Sequence, residues 1–454
     1  MKGLTDFTEG DVRKNILLFF FPMLATNMLQ QVYTFVDTAI VGNGLGDHAL
    51  AAVGNTGVLS FLIIGFSFGL ANGFSILFSR EYGAKDFEKL RHYIAAAILL
   101  CAGLTVVVTA FSLIFLKDVL ILMRTDEIIM KDSLVYGSII FGGFAFNLMY
   151  NMSSYTLRSL GDSKTPLKAI VISSVLNLVL DCLFIFVFHS GVEGAAIATI
   201  ISQLISTLVC LHELTKISFI KLSASDFANS AGVYMELIRN GVPMAAMNSI
   251  TAVGCMVIQY FVNGFGVDYT SAYAACSKYT NLFITPACSA GHTMASFTSQ
   301  NYGAKRYERI RQGLRMCLAI AMVTYLIFGS SMIFYKRFLA DILLEGEAPI
   351  RLAMQYFPIC GIMMFAVDAL FIYRSGVQGL GAPAIPMYSG VVEMAVRVVV
   401  ILAFVSSLGF PATAYAEVGA WVGALIMNAA AFYHKMGKLG AYPFSKSKRE
   451  AAFS

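Results

Sequence analysis

Charge is what this 454-residue sequence has least of. Asp, Glu, Lys and Arg make up 13% of it, about half the share usual in soluble domains. A further 57% of residues are hydrophobic, and mean hydropathy is +0.72. A soluble protein of this length needs far more charge to cover its surface, so a soluble enzyme and a disordered chain are both excluded. No Walker motif is present, so ATP is not the energy source on this chain. No dense basic run lies outside the loops between apolar stretches, so no nucleic-acid partner is expected. The eight cysteines (Cys101, Cys182, Cys210, Cys255, Cys276, Cys288, Cys317 and Cys360) have no metal-type spacing. They read as small buried apolar residues. The six histidines form no cluster, and His292 reads as core or cavity-lining. Neither a cofactor nor an enzymatic activity is expected.

What is present is a series of about twelve apolar runs: 15–41, 50–79, 92–116, 133–157, 167–188, 192–212, 239–263, 270–298, 311–334, 350–374, 384–407 and 412–434. Each is long enough to cross roughly 30 Å of hydrocarbon at about 1.5 Å per helical residue. Stretches such as Ile94 to Leu116 do not alternate, which excludes an outer-membrane barrel. A backbone in lipid must bond itself, so the spans are helices. The opening residues mix Asp6, Glu9 and Asp11 with Lys2, Arg13 and Lys14. The apolar run after them is too long for a signal core, and no small-residue cleavage site follows. The start therefore reads as a lead-in lying at the membrane surface.

Numbering the loops alternately puts 24 Lys and Arg residues on one side and 6 on the other. Positive charge marks the cytoplasmic side, so both termini are expected there, which requires an even number of spans.

The chain also repeats itself. Residues 78–91 read FSREYGAKDFEKLR and residues 298–311 read TSQNYGAKRYERIR, agreeing at seven of fourteen positions. The offset of 220 also pairs Leu160, Gly161 and Pro166 with Leu380, Gly381 and Pro386. Two separated matches in one register point to a duplication of about six spans. Six is even, so the repeats are parallel, with substrate expected between halves that open alternately to either side. The expected fold is an all-α polytopic membrane protein of twelve helices in two pseudo-symmetric lobes. Its expected parts are a cytoplasmic lead-in (1–14), an N-lobe (15–212), a polar linker (213–238), a C-lobe (239–434) and a cytoplasmic tail (435–454).

Charge at bilayer depth costs about 2.5–3.5 kcal/mol on insertion scales, so a charged residue kept there is a candidate for function. Asp37 lies in the first span with Asn27, Gln30, Gln31, Tyr33 and Thr34. Asp181 lies in the fifth, one turn after Asn177, and Asp368 in the tenth. Lys278 is near the start of the eighth. Lost water and a second carboxyl both favour the protonated acid. Facing helices carrying Asp37 and Asp181 would hold a proton or a sodium ion; the alternative is neutral aspartates bonded for helix packing. Glu393 and Arg397 are four residues apart and share a helix face, reading as a structural pair. Pro22 and Pro243 sit early in the first helix of each half, as a fixed bend or a hinge. The many Phe, Tyr and Met residues would suit a broad cavity for apolar cations.

Four segments together, LQQVYTFVDTAIVGNGLGDHALAAVG, SREYGAKDFEKLR, LRSLGDSKTPLKAIVISSVLNLVLD and SQNYGAKRYERIR, resemble the multidrug and toxic compound extrusion (MATE) family. The N-lobe resembles its bacterial DinF-like branch, and the resemblance covers nearly the whole chain. It implies two six-helix lobes in a V around a cavity, in a monomer of the bacterial inner membrane. It also implies export of cationic amphiphilic small molecules in exchange for protons or sodium. It carries the cation-site residues of the N-lobe onto Asp37, Asn151, Asn177, Asp181 and Thr199. Gln30 and Tyr33 match first-helix positions near that site, and Pro22 matches the proline of a first-helix bend. Sodium-coupled members share the tenth-helix acid, Asp368 here, but also use a seventh-helix glutamate. No acid lies within 239–263, where Gln259 is the nearest polar candidate. That departure favours the N-lobe as the cation site. The competing expectation is a lipid-linked precursor flippase of related fold, for which several cavity arginines would be the mark. Only Arg397 reads as lying deep in a span.

Overall fold

A computed structural model describes residues 4–440; the end of the expected tail lies outside them. Among the described residues the chain forms α1 (Val12–Leu45), α2 (Asp47–Ala84), α3 (Phe87–Leu122), α4 (Glu127–Gly142), α5 (Phe144–Ser159), α6 (Lys164–Cys182) and α7 (Val192–Thr215). The second half follows with α8 (Ala231–Phe265), α9 (Val267–Gly303), α10 (Tyr307–Phe334), the short α11 (Lys336–Leu343), α12 (Glu347–Gly379), α13 (Ala384–Leu408) and α14 (Pro411–Lys438). Ten of these are long and apolar enough to cross a membrane, and α4 with α5 makes one further span bent by 44°. The twelfth is α9, 37 residues long but rich in Ser, Thr and Tyr. It is the interior helix of its half, buried almost continuously from Phe283 to Asn301. Its hydroxyls are tolerated because Thr280, Thr285, Ser289 and Thr293 each donate to the carbonyl four residues back, which satisfies these donors within the helix.

The backbone confirms the duplication at three places. Gly46 and Gly266 carry φ of +85° and +111°, Gly161 and Gly381 +88° and +71°, and Lys85 and Lys305 +61° and +57°. Each pair is 220 residues apart. The left-handed conformation strains a lysine, yet both repeats keep one there to close the helix before the charged loop.

The chain divides into two compact units. One holds residues up to Thr5 and Phe21–Gly241; the other holds Asp6–Phe20 and everything from Val242 on. The first helix of each half therefore starts in the other half's unit, and Pro22 and Pro243 each stand one residue inside the change-over. The two YGAK loops anchor these starts. In the second unit, Arg309 donates to the carbonyls of Phe7, Glu9 and Gly10, and Asn301 to that of Phe7. The Phe7 ring packs against Phe19 and Phe297. In the first unit, the Asp226 carboxylate accepts from Ser223 N–H (2.7 Å) and from Arg91 (3.4 Å). Phe219 stacks near Tyr82 and Phe87.

Candidate functional site

In the first unit, α1 meets the turn that follows α6 near the acids. A Cβ on Gly44 would lie 2.6 Å from Ile185, so only glycine admits that contact. Asp37 is two turns before Gly44 on α1, and Asp181 one turn before Ile185. An apolar cap of Val41, Ile185, Val192 and Ala195, with Tyr136 against it, closes over them. Immediately after Asp181 the helix widens into a π-turn, Leu183–Val187, a feature common at functional sites.

Below that cap the Asp37 and Asp181 carboxyls lie within interaction distance of each other. Two ionised carboxylates repel, so a positive ion held between them would relieve the pair. Asn177 orients the partner: its amide donates to Asp181 Oδ2 (2.7 Å) and accepts from the Thr199 N–H (3.3 Å). Tyr33 is hydrogen-bonded to Thr199 and lies within electrostatic reach of both aspartates. Asp181 is fully buried and Asn177 nearly so, while Asp37 is half-buried. One oxygen of each aspartate, Oδ1, is buried with no hydrogen-bond partner. An acceptor left unpaired away from water is costly, and one on each of two neighbouring carboxyls makes this pocket a candidate for a small cation. The donors are all oxygen, which suits a hard ion or a proton rather than a thiophilic metal. Among the described residues no three His, Cys, Asp or Glu side chains converge on a metal-type site.

Of the residues singled out in the sequence, Asp37, Asp181, Asn177, Thr199 and Tyr33 come together. Asn151, on α5, donates to the carbonyl and side chain of Asn147 one turn back. Gln30 is exposed on α1, where its carbonyl accepts from Thr34 (2.9 Å). Gln259 belongs to the second unit and donates to Asn263 (2.7 Å). Asp368, 1% exposed, accepts from Thr324 at 3.4 Å and has its other oxygen unpaired. Tyr136 of α4, within reach of both aspartates, escaped the sequence reading, since nothing distinguishes it from the other tyrosines.

The expected Glu393–Arg397 pair exists but belongs to a larger cluster. Arg374 pairs with Glu393. Arg397 lies 3.7 Å from Glu393 and 2.9 Å from Glu417, and Tyr273 donates to Glu417. All four charged residues are buried. Arg374 and Arg158 had been taken for loop charges; both lie within helices, towards their C-terminal ends, and are buried. Of the cysteines, Cys182 is exposed rather than buried.

Helices that cross a membrane in two like sets, with acids buried in both, have the layout of a membrane transporter. The family model described as MatE matches residues 22–183 and again 243–403. The chain belongs to that family, the MATE multidrug efflux transporters. It is similar to two Bacillus subtilis proteins called probable multidrug resistance proteins. YpnP is 33% identical over 305 residues, 67% of this chain and 68% of that one. YoeA is 32% identical over 317 residues, 68% of each. Among solved structures, a MATE protein in the bent conformation matches with a TM-score of 0.89 at 21% identity, covering 97% of this chain and 98% of that one.

Proposed function

We propose that this protein is a secondary active antiporter that exports cationic amphiphilic compounds in exchange for protons or sodium. The observation that carries the reading is the Asp37–Asp181 pair, brought together inside membrane-spanning helices with an unpaired oxygen on each. Loading the pair with a positive ion neutralises it and lowers the cost of burial. Unloading restores a negative charge that attracts a cationic substrate. Binding of ion and substrate thus compete for one charge, which is what exchange requires. Asn177 holds Asp181 in place, Thr199 and Tyr33 complete the rim, and Pro22 supplies the bend as α1 changes shape. Asn151, Gln30, Gln259 and Asp368 act at the substrate cavity or in ion loading. One charge moved through 100 mV supplies about 2.3 kcal/mol, and one pH unit about 1.4 kcal/mol, enough for an appreciable gradient.

In this reading the protein is a monomer in the bacterial inner membrane with both termini in the cytoplasm. Setting aside the buried Arg158 and Arg374, the loop charge still divides 22 to 6, which supports that orientation. The deciding experiment is reconstitution in proteoliposomes with a pH gradient and a sodium gradient imposed separately. Uphill movement of a fluorescent organic cation driven by one of them is the expected result. Movement driven by neither would end the antiport reading.

A further inference from the structure

Because one family model matches both halves, positions in the first half have counterparts 220 or 221 residues on. Asn177 then corresponds to Arg397, 220 on. Tyr33 corresponds to Gly254, 221 on, the spacing of Pro22 and Pro243. In the first unit these two places border the aspartate pair: Asn177 bonds Asp181 and Thr199, and Tyr33 reaches Thr199. In the second unit they hold a guanidinium and a glycine. A Cβ on Gly254 would stand 3.2 Å from Arg397 Nη1 and 3.5 Å from its Cδ. The absent side chain is what makes room for the arginine. The guanidinium then donates to Glu417 from Nε (3.1 Å) and Nη2 (2.9 Å) and faces Glu393 at 3.7 Å, while Arg374 balances Glu393.

We propose that the Glu393–Glu417 pocket is a cation site already filled by the protein's own side chain, and that it accepts a guanidinium-class cation once the Arg397 side chain is removed. The site rests on its own contacts. Only the parallel with an exchanging first pocket rests on the antiport reading. An arginine does not lose its proton in a protein, and a covalent tether prevents it from leaving. The Arg397 pocket therefore keeps its charge throughout a cycle, whereas the first pocket exchanges its own. Truncating Arg397 leaves Glu393 and Glu417 against Arg374 alone, a net charge of minus one in a buried site. Such a site recruits a cation.

The test uses the purified full chain carrying Asp37→Asn, so that the first pocket does not contribute. Unfolding midpoints of Arg397→Ala are measured with and without low-millimolar guanidinium, and with urea as the neutral molecule of the same shape. Guanidinium is expected to raise the midpoint by roughly 2–4 °C, urea to leave it unchanged, and the parent with Arg397 intact to respond to neither. Adding Glu417→Gln to Arg397→Ala is expected to abolish the shift. No specific shift, or one that survives Glu417→Gln, overturns the proposal. Should the single variant not be recovered, the double variant decides. Charge and counter-charge leave together there, so it must be recovered, and its loss as well would make Arg397 a packing element and end the idea. Failure of the antiport reading would appear elsewhere, as movement of the organic cation driven by neither gradient in proteoliposomes.

Discussion

The two halves of this chain solve one physical problem in opposite ways. Each carries buried charge in membrane-spanning helices, where an uncompensated charge costs several kcal/mol. In the first unit Asp37 and Asp181 lie beside each other with an unpaired oxygen on each, and in the antiport reading a loaded proton or sodium ion compensates them. In the second, Arg374, Glu393, Arg397 and Glu417 compensate one another. A proton can be exchanged, whereas a guanidinium on a side chain cannot. Duplication thus left two copies of a scaffold free to diverge, one with two acids side by side and the other with acids matched to arginines.

The largest effect is expected where the charge is exchangeable. Asp181→Asn and Asp37→Asn remove the titrating group while keeping size and shape. Efflux of a fluorescent cation from cells, normalised to the amount of protein in the membrane, should fall to the level of cells lacking it. Normal efflux in both variants would erase the contrast between the units. Next comes the permanent cluster, which answers in stability. Arg374→Met strips Glu393 of its closest partner, and breaking a buried pair from one side costs about 3–5 kcal/mol. Combining it with Glu393→Gln should restore most of the loss, since Arg397 and Glu417 remain paired. A double variant as unstable as the single would mean that the four charges do not form one balanced set.

The sequence showed the duplication and the first pocket because both depend on local signals. The YGAK loops and the LG–P segments repeat at one offset, and an aspartate amid leucines and valines is conspicuous. Asn177 one turn before Asp181 places both on one face without any structure. The cluster in the second unit was only half visible. Glu393 and Arg397 are near in sequence, but Arg374 and Glu417 lie on other helices, and Arg374 at the end of an apolar run looks like a loop charge. Nothing in the sequence says that Gly254 clears the space for Arg397, or that α1 and α8 each begin in the opposite unit. Those facts belong to packing between distant segments. The bend between α4 and α5 was hidden as well, in an apolar run that reads as unbroken.

A smaller effect separates the units at a conserved turn of the backbone. Gly161 and Gly381 share the left-handed conformation, so alanine is strained at both, by about 1–2 kcal/mol. Their surroundings differ. A Cβ at Gly161 would lie 2.0 Å from the Thr5 carbonyl oxygen, whereas one at Gly381 would meet nothing within 4 Å. Thermal unfolding should therefore show Gly161→Ala to be the more damaging of the two, because Thr5 must also give up its bond to the Gly161 carbonyl (3.1 Å). Equal midpoints would mean that the lead-in does not press on that turn.

The smallest effect is a difference in acid sensitivity between the two anchored helix starts. The segment before α1 is held by the guanidinium of Arg309 on backbone carbonyls, groups that do not titrate in acid. The segment before α8 is held through Asp226, whose carboxyl lies below the usual carboxylate range because it accepts the Ser223 backbone N–H, with the Ser223 hydroxyl and Arg91 adding to this. A carboxyl lowered in the folded state stabilises fully above its unfolded value of about 3.9 and loses that contribution as pH falls towards the lowered value. Below about pH 4, limited proteolysis should therefore open the 217–230 segment before it opens residues 4–11. Asp226→Asn should expose the same segment at neutral pH and remove its acid dependence. Parallel cleavage of both segments across that range would show that the two anchors do not differ in the way their chemistry requires.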